Sequence, residues 1–383
     1  MYSPIGGVAT FQLPLYEFSQ DEVLIFGEAS KDIASTFLRG SQSVLFPLHP
    51  DMQRKLVAEL NLYEFEPTRV LDTVAVVPTA NGRTVYCLGH QPPLYLKLHY
   101  DGILGRVDRK LPIMKTVAGT EISEELVICF SRDSAPSGFA FLPEPFALVK
   151  TCAARQGTEE VGCIFRTTKP LPFLGESFLI PFFSLFSQDT LSERDPLLLV
   201  QLLGDYRHPW ETLRRGLIEP LLRGYCFLVF DLGLIPEFNA QNLLLAIDDQ
   251  YQFKGVVMRD LQGLEKDLTI RGALGLQCQF KSEPYKCIDR ASNERDYFIR
   301  HSFSYDFKLG EYIFEELVAV IARTFRLRAT TLREEIKYFF REFSLGRDSG
   351  HFYPRDSWFI HDRILLTRER PYVELENPKF RFS

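Results

Sequence analysis

The stretch Leu234–Gly263, LIPEFNAQNLLLAIDDQYQFKGVVMRDLQG, constrains this 383-residue chain more than any other. Two apolar runs, Leu243–Ile247 and Tyr251–Met258, flank the polar turn Asp248-Asp249-Gln250. Short apolar runs around such a turn predict a β-hairpin, and an apolar, helical run leads into it. A hairpin holds its two ends together, and here both ends are polar. Glu237, Asn239, Gln241 and Asn242 precede it, and Asp260 follows. Amide and carboxylate oxygens converging on one end suit a hard cation such as Mg²⁺. Bare spacing leaves a second reading open, an ordinary hairpin with polar ends.

The chain is long for one hydrophobic core, so two domains are expected. Its hydrophobic share of 45% and charged share of 25% are those of a soluble globular protein. The 33 Phe and 16 Tyr read as core. A net charge of −6 supplies no basic field, which argues against a nucleic-acid partner. The seven Cys are scattered without a C-x-x-C pair, several within apolar runs, which predicts free thiols in a reducing compartment. The first residues lack a basic-then-apolar signal pattern, and no run reaches the ~18 apolar residues of a membrane span. The expectation is a cytoplasmic protein without a membrane partner.

In chain order, a helix is expected at Ser30–Leu38 and another from Asp51 to Leu60 after His49-Pro50. Residues 70–150 read mainly as strands, with ELVICF among them and a helix near 112–119. GILGRVDRKLP reads as a basic connector. Alternation in YLKLHY puts Lys97 and His99 on one face. The Pro-rich segment before residue 185 marks a boundary. The fold class is α+β: an antiparallel-sheet domain over 1–185, then a mostly helical domain over 186–383 that contains the hairpin. Residues after Asp260 read as polar and irregular, with Lys266, Lys281 and Lys286.

The set of motifs resembles the IucA/IucC-type siderophore synthetases, which work without a nonribosomal peptide synthetase. Glu237-Phe238-Asn239-Ala240-Gln241-Asn242 is similar to the family's E-x-H-x-Q-N, and Arg259-Asp260-Leu261-Gln262-Gly263 matches its R-D-x-x-G. Thr79-Ala80-Asn81-Gly82-Arg83-Thr84 resembles the T-S-S-x-R-T loop, and His49-Pro50-Asp51-Met52-Gln53 the H-P-W-Q element. Lys97-Leu98 and Asp108-Arg109 are similar to the K-L stretch and the basic residue after it. The tail LLTRERPYVELENPKF resembles the closing R-L…N-P-L element, and the order of the matches is the family's.

The resemblance implies a fingers-like sheet domain, a palm-like helical domain and an ATP-dependent ligase of siderophore biosynthesis and iron acquisition. A carboxylate such as citrate attacks the α-phosphate of ATP, and an amine or alcohol takes the acyl group. Arg83 and Arg109 are then the catalytic cations, since guanidinium pairs bidentately with phosphate or carboxylate. Asn81, Thr84, Lys97, Asn239, Gln241 and Asn242 are the nucleotide-binding candidates. Glu237, Asn242 and Asp260 are the Mg²⁺ ligands. The implied partners are small-molecule carboxylate and amine substrates, with a homodimer or a partner synthetase chain.

Departures from the family pattern keep an alternative in view. Asn239 stands where the family has His, and it carries neither charge nor a shuttled proton. Ala80 and Asn81 replace both Ser hydroxyls. The family's H-P-x-H-P-x-x-K motif has no counterpart in the 48 residues ahead of His49. The alternative is a non-catalytic or accessory nucleotide-binding homologue, completed by or regulating a partner chain. Protein kinases also place an Asn before and an Asp after a hairpin to hold Mg²⁺, but no Gly-rich phosphate loop is evident here. His49 stays outside the expected site, as does His208.

Overall fold

The computed structural model describes residues 7–60, 65, 69–104, 107–131, 135–154, 157–188, 192, 195–204, 206–277, 286–345, 351–361 and 372–382. It comprises two compact units. The first takes the described residues of Met1–Ile128 and Leu142–Lys169; the second takes those of Cys129–Phe141, Pro170–Gln279 and Lys286–Ser383.

In the first unit nine described strands form one sheet, ordered Val23–Gly27, Phe146–Ala154, Gly157–Thr167, Leu94–Leu98, Thr84–Cys87, Val70–Pro78, Phe11–Ser19, Ser43–Pro47 and Leu38–Arg39. Each pairing is antiparallel. One face buries the aromatic surplus: Phe65 meets Tyr16, Phe18 and Phe46 with ring centroids 5.3, 5.5 and 6.2 Å apart. Phe65 itself is fully buried. Such edge and tilted contacts add about 0.5–1.5 kcal/mol per pair beyond area burial.

Two expectations in this unit change. ELVICF is not a strand but the end of the helix Ile113–Phe130. A short apolar run fits strand or helix equally, and the buried set Ala118, Ile122, Leu126 and Phe130 follows the four-residue helical step. GILGRVDRKLP is not a plain connector: Tyr100–Leu104 and Val107–Arg109 pair antiparallel. The helix at Pro50–Leu60 and the helix Lys31–Phe37, capped by the Ser30 hydroxyl, lie where they are expected.

The second unit is built around the hairpin. Leu243–Ile247 pairs antiparallel with Phe253–Met258, flanked by Phe178–Pro181 and, in parallel, by Phe139–Phe141. The second strand begins at Phe253 rather than Tyr251, because Tyr251 still belongs to the turn at φ 58°. Asp248 Oδ1 organises that turn by accepting the Gln250 and Gln252 N–H groups at 3.0 and 2.8 Å. The unit also holds long helices, including 294–325, whose middle, Phe303–Phe314, is wound as a π-helix.

The residues after Asp260 are ordered rather than irregular. A 3₁₀ turn at Leu261–Gly263 leads to the strand Glu265–Asp267 and the helix Leu268–Ala273. Asp267, fully buried, ties this segment down. Its carboxylate accepts from Ile270 N–H, Tyr297 O–H and His301 Nε2 at 3.0, 2.8 and 2.8 Å. Lys281 and the LLTRER part of the tail lie outside the described residues, while Tyr372–Glu376 pairs with Ser357–His361. The α+β expectation holds. No described helix is long and apolar enough to cross a membrane.

Gly255 is where the hairpin meets the parallel strand. It sits at φ +144°, and a Cβ there would lie 2.1 Å from the Gly138 carbonyl oxygen, which also accepts the Val256 N–H at 2.8 Å. Backbone cannot retreat as a flexible side chain can. Gly255→Ala is therefore expected to destabilise the fold by about 2–4 kcal/mol in urea denaturation.

Candidate functional site

The hairpin brings its two motif ends together through backbone first. Leu243 pairs with Met258, and the next bond outward runs from Arg259 N–H to the Asn242 carbonyl at 2.9 Å. The Arg259 side chain then reaches back, Nε and Nη2 donating to the Gln241 carbonyl at 3.0 and 2.7 Å. Arg259 therefore holds the Glu237–Asn242 loop against Asp260. Asp260 itself has left-handed backbone angles, φ 75° and ψ 57°. Asp tolerates that region better than most residues, and such conformations collect at functional sites.

Asn239 has a definite structural task. Its Oδ1 accepts the N–H groups of Gln241 and Asn242 at 2.9 and 3.0 Å. Backbone N–H only donates, so the oxygen must face the turn, and the amide NH₂ faces away from it. Asn242 is buried and donates from Nδ2 to the Glu237 carbonyl at 3.4 Å, which turns its Oδ1 to the other side. Glu237 divides its carboxylate. Oε1 accepts from Lys308 Nζ at 2.9 Å, and Oε2 lies 2.7 Å from where a Cβ on Gly263 would sit. The glycine of R-D-x-x-G thus leaves room for the glutamate of the other motif.

Glu237, Asn242 and Asp260 offer two carboxylates and one amide oxygen, all hard oxygens. The Gly263 cradle keeps space at Glu237, which fits Mg²⁺ better than a softer ion. In the same turn Gln262 is buried and its Oε1 has no hydrogen-bond partner among the described residues, so a ligand's donor or an ion can satisfy it.

In the first unit Arg83 and Thr84 stand at the start of the strand Thr84–Cys87, Lys97 on the neighbouring strand, and Arg109 at the end of the separate hairpin strand Val107–Arg109. Thr84 pairs with Lys97 across neighbouring strands, and Leu98 N–H donates to the Arg83 carbonyl at 3.0 Å. Arg83 Nη1 donates to the Arg109 carbonyl, joining the two loops. Arg83, Thr84 and Lys97 are buried, so Lys97 is no solvated strand residue. Asn81 sits in the tight loop, its N–H on Thr79 Oγ1 at 3.3 Å. The Thr84 hydroxyl is buried without a hydrogen-bond partner among the described residues. Buried cations beside an unsatisfied hydroxyl suit an anionic ligand.

Sequence reasoning passed over three residues that belong in this picture. Lys308 is one; nothing local in the sequence ties it to Glu237, 71 residues earlier. Gln262 is another, hidden at a variable position of its motif. His49 is the third. It is buried, accepts the Asp51 N–H on Nδ1 at 3.2 Å, and packs edge-on against Tyr100 at 5.3 Å. Burial pushes its imidazole below the ordinary histidine range, opposed by the Asp51 carboxylate and the Gly82 backbone of the Arg83 loop.

Two outcomes follow. Arg259→Met should cost about 1–3 kcal/mol in urea denaturation, with Arg259→Lys recovering only part, since an ammonium lacks the rigid fork that aims two N–H groups at one oxygen. His49 is neutral in the fold, so its contribution is present above the ordinary value of about 6.5 and lost as pH falls towards its lowered value. The melting-temperature gap between wild type and His49→Gln should therefore narrow between pH 7 and pH 5.

No family model matches the sequence, and no curated protein matches it. Solved structures do match the fold. The petrobactin biosynthesis protein AsbB of Bacillus anthracis superposes with a TM-score of 0.77 at 16% identity, over 97% of this chain and 68% of AsbB. ATP-bound aerobactin synthetase IucA of Klebsiella pneumoniae gives 0.73 at 14% identity, over 98% of this chain and 71% of IucA. Aerobactin synthetase IucC from the same organism gives 0.65 at 16% identity, over 90% and 65%. The chain has the fold of the IucA/IucC-type siderophore synthetases.

Proposed function

We propose that this protein is an ATP-dependent carboxylate–amine (or alcohol) ligase of siderophore biosynthesis, a divergent relative of the proteins whose fold it shares. The observation that carries the reading is the locked pair of motif ends, Glu237 and Asn242 set beside Asp260 by Arg259 and Gly263. That arrangement costs a left-handed Asp.

In this reading a carboxylate oxygen of the substrate attacks the α-phosphorus of ATP, and pyrophosphate leaves. The amine or alcohol then attacks the acyl carbon and AMP leaves, giving the amide or ester. Glu237, Asn242 and Asp260 would hold Mg²⁺, and Gln262 is a further oxygen candidate. A bound Mg²⁺ supplies charge neutralisation for phosphate oxygens. Arg83, Arg109 and Lys97 neutralise the substrate's anionic groups, and Thr84 and Asn81 hydrogen-bond them. Such preorganised charge is worth about 2.7–4 kcal/mol of barrier per donor. The nucleotide is supported by the ATP-bound IucA neighbour, citrate by the family resemblance alone. The same resemblance supports fingers-like and palm-like roles for the two domains.

Asn239 favours a second reading. Its acceptor atom is committed to the turn, so it offers only amide N–H donors where the family has imidazole. A homologue that binds nucleotide without ligation meets that condition. The protein, supplied with ATP, citrate-like acids and polyamines, should release pyrophosphate, and Asp260→Asn should lower that rate by a factor of about 100 or more. ATP binding by calorimetry without pyrophosphate release supports the second reading; neither binding nor release sinks both.

A further inference from the structure

We propose that Lys308 sets which divalent cation the second unit accepts, by restricting Glu237 to a single ligand oxygen. The inference rests on the metal role assigned to Glu237 above. Lys308 Nζ donates to Glu237 Oε1 at 2.9 Å and lies 5.1 Å from the centre of the Phe303 ring. The ammonium is therefore fixed from two sides, by a carboxylate oxygen and an aromatic face. Four residues before it in the same π-helical segment, the Ser304 hydroxyl donates to the Pro236 carbonyl at 2.7 Å. That bond pins the helix to the residue next to Glu237, so Lys308 approaches Oε1 from a set direction. Oε2 is the oxygen beside the Gly263 cradle. The carboxylate's two oxygens have separate duties.

Cation chemistry turns that division into selectivity. Mg²⁺ requires a near-octahedral shell at about 2.0–2.1 Å and takes one oxygen from each carboxylate, whereas Ca²⁺ takes 6–8 oxygens and readily accepts both oxygens of a Glu. With Lys308 on Oε1, Glu237 offers one oxygen. Asn242, its Nδ2 spent on the Glu237 carbonyl, also offers one. A set confined to single oxygens favours Mg²⁺. The ammonium's repulsion acts on both divalent ions alike and cancels in the ratio of their affinities, so the ratio isolates the geometry.

The test is calorimetric titration of the full chain with MgCl₂ and with CaCl₂, without nucleotide, for wild type, Lys308→Met, Lys308→Arg and Glu237→Gln. Wild type should prefer Mg²⁺. Lys308→Met should lower the Mg²⁺-over-Ca²⁺ ratio roughly tenfold, chiefly by gaining Ca²⁺ affinity, while Lys308→Arg keeps it. If Lys308→Met does not fold, Phe303→Leu removes the ring beside the ammonium and should shift the ratio in the same direction. An unchanged ratio in a folded Lys308→Met overturns the proposal with the metal reading intact. Mg²⁺ binding untouched by Glu237→Gln also overturns it. Absence of binding of either cation by wild type overturns the metal reading itself, and this inference with it.

Discussion

The fork of Arg259 on the Gln241 carbonyl is the contact on which the second unit's candidate site depends. A hairpin alone brings its ends near one another but leaves their loops free to splay. Here one guanidinium makes two converging bonds to a loop carbonyl while its own backbone continues the ladder. The residue before the hairpin and the residue after it are then held at fixed separation. Asp260 accepts a left-handed backbone as the cost of standing there. Gly263, three residues on, has no side chain to push Glu237 out of the same space.

The first unit solves a different problem, keeping positive charge in a sheet without losing it to solvent. Buried cations are unfavourable unless their hydrogens are engaged. Arg83 is hydrogen-bonded both to the strand that carries Lys97 and to the carbonyl of Arg109. Other charges of the unit form a linked chain: Lys55 and Lys110 both reach Asp101, and Lys110 also reaches Glu159.

How much of this was legible from the sequence follows from the range of each interaction. The hairpin was readable because both its signals are local, an apolar run on each side and an Asp that builds the turn. The motif residues around it were readable as a set because the strands dictate which ends meet. ELVICF was misread because its last residues look alike in strand and helix; only the buried stripe back to Ala118 settles the period. Burial of Lys97 depends on two neighbouring strands, Thr84–Cys87 and Gly157–Thr167, that its own alternation does not report. Asn239 is a nucleotide-binding candidate by its motif; that its oxygen also closes a turn is an option every Asn carries and spacing does not reveal.

The winding of the helix 294–325 has a consequence of its own. Its outer parts follow the α period, while Phe303–Phe314 follows the wider i→i+5 course. The rod changes gear midway, so its faces before and after the wide segment are out of phase. The aim of Lys308 is thus stored in backbone pitch rather than in either motif. A sequence change that tightened those turns back to the α period would swing the ammonium off Glu237 while every motif residue stayed in place. Pitch, in this chain, is an address.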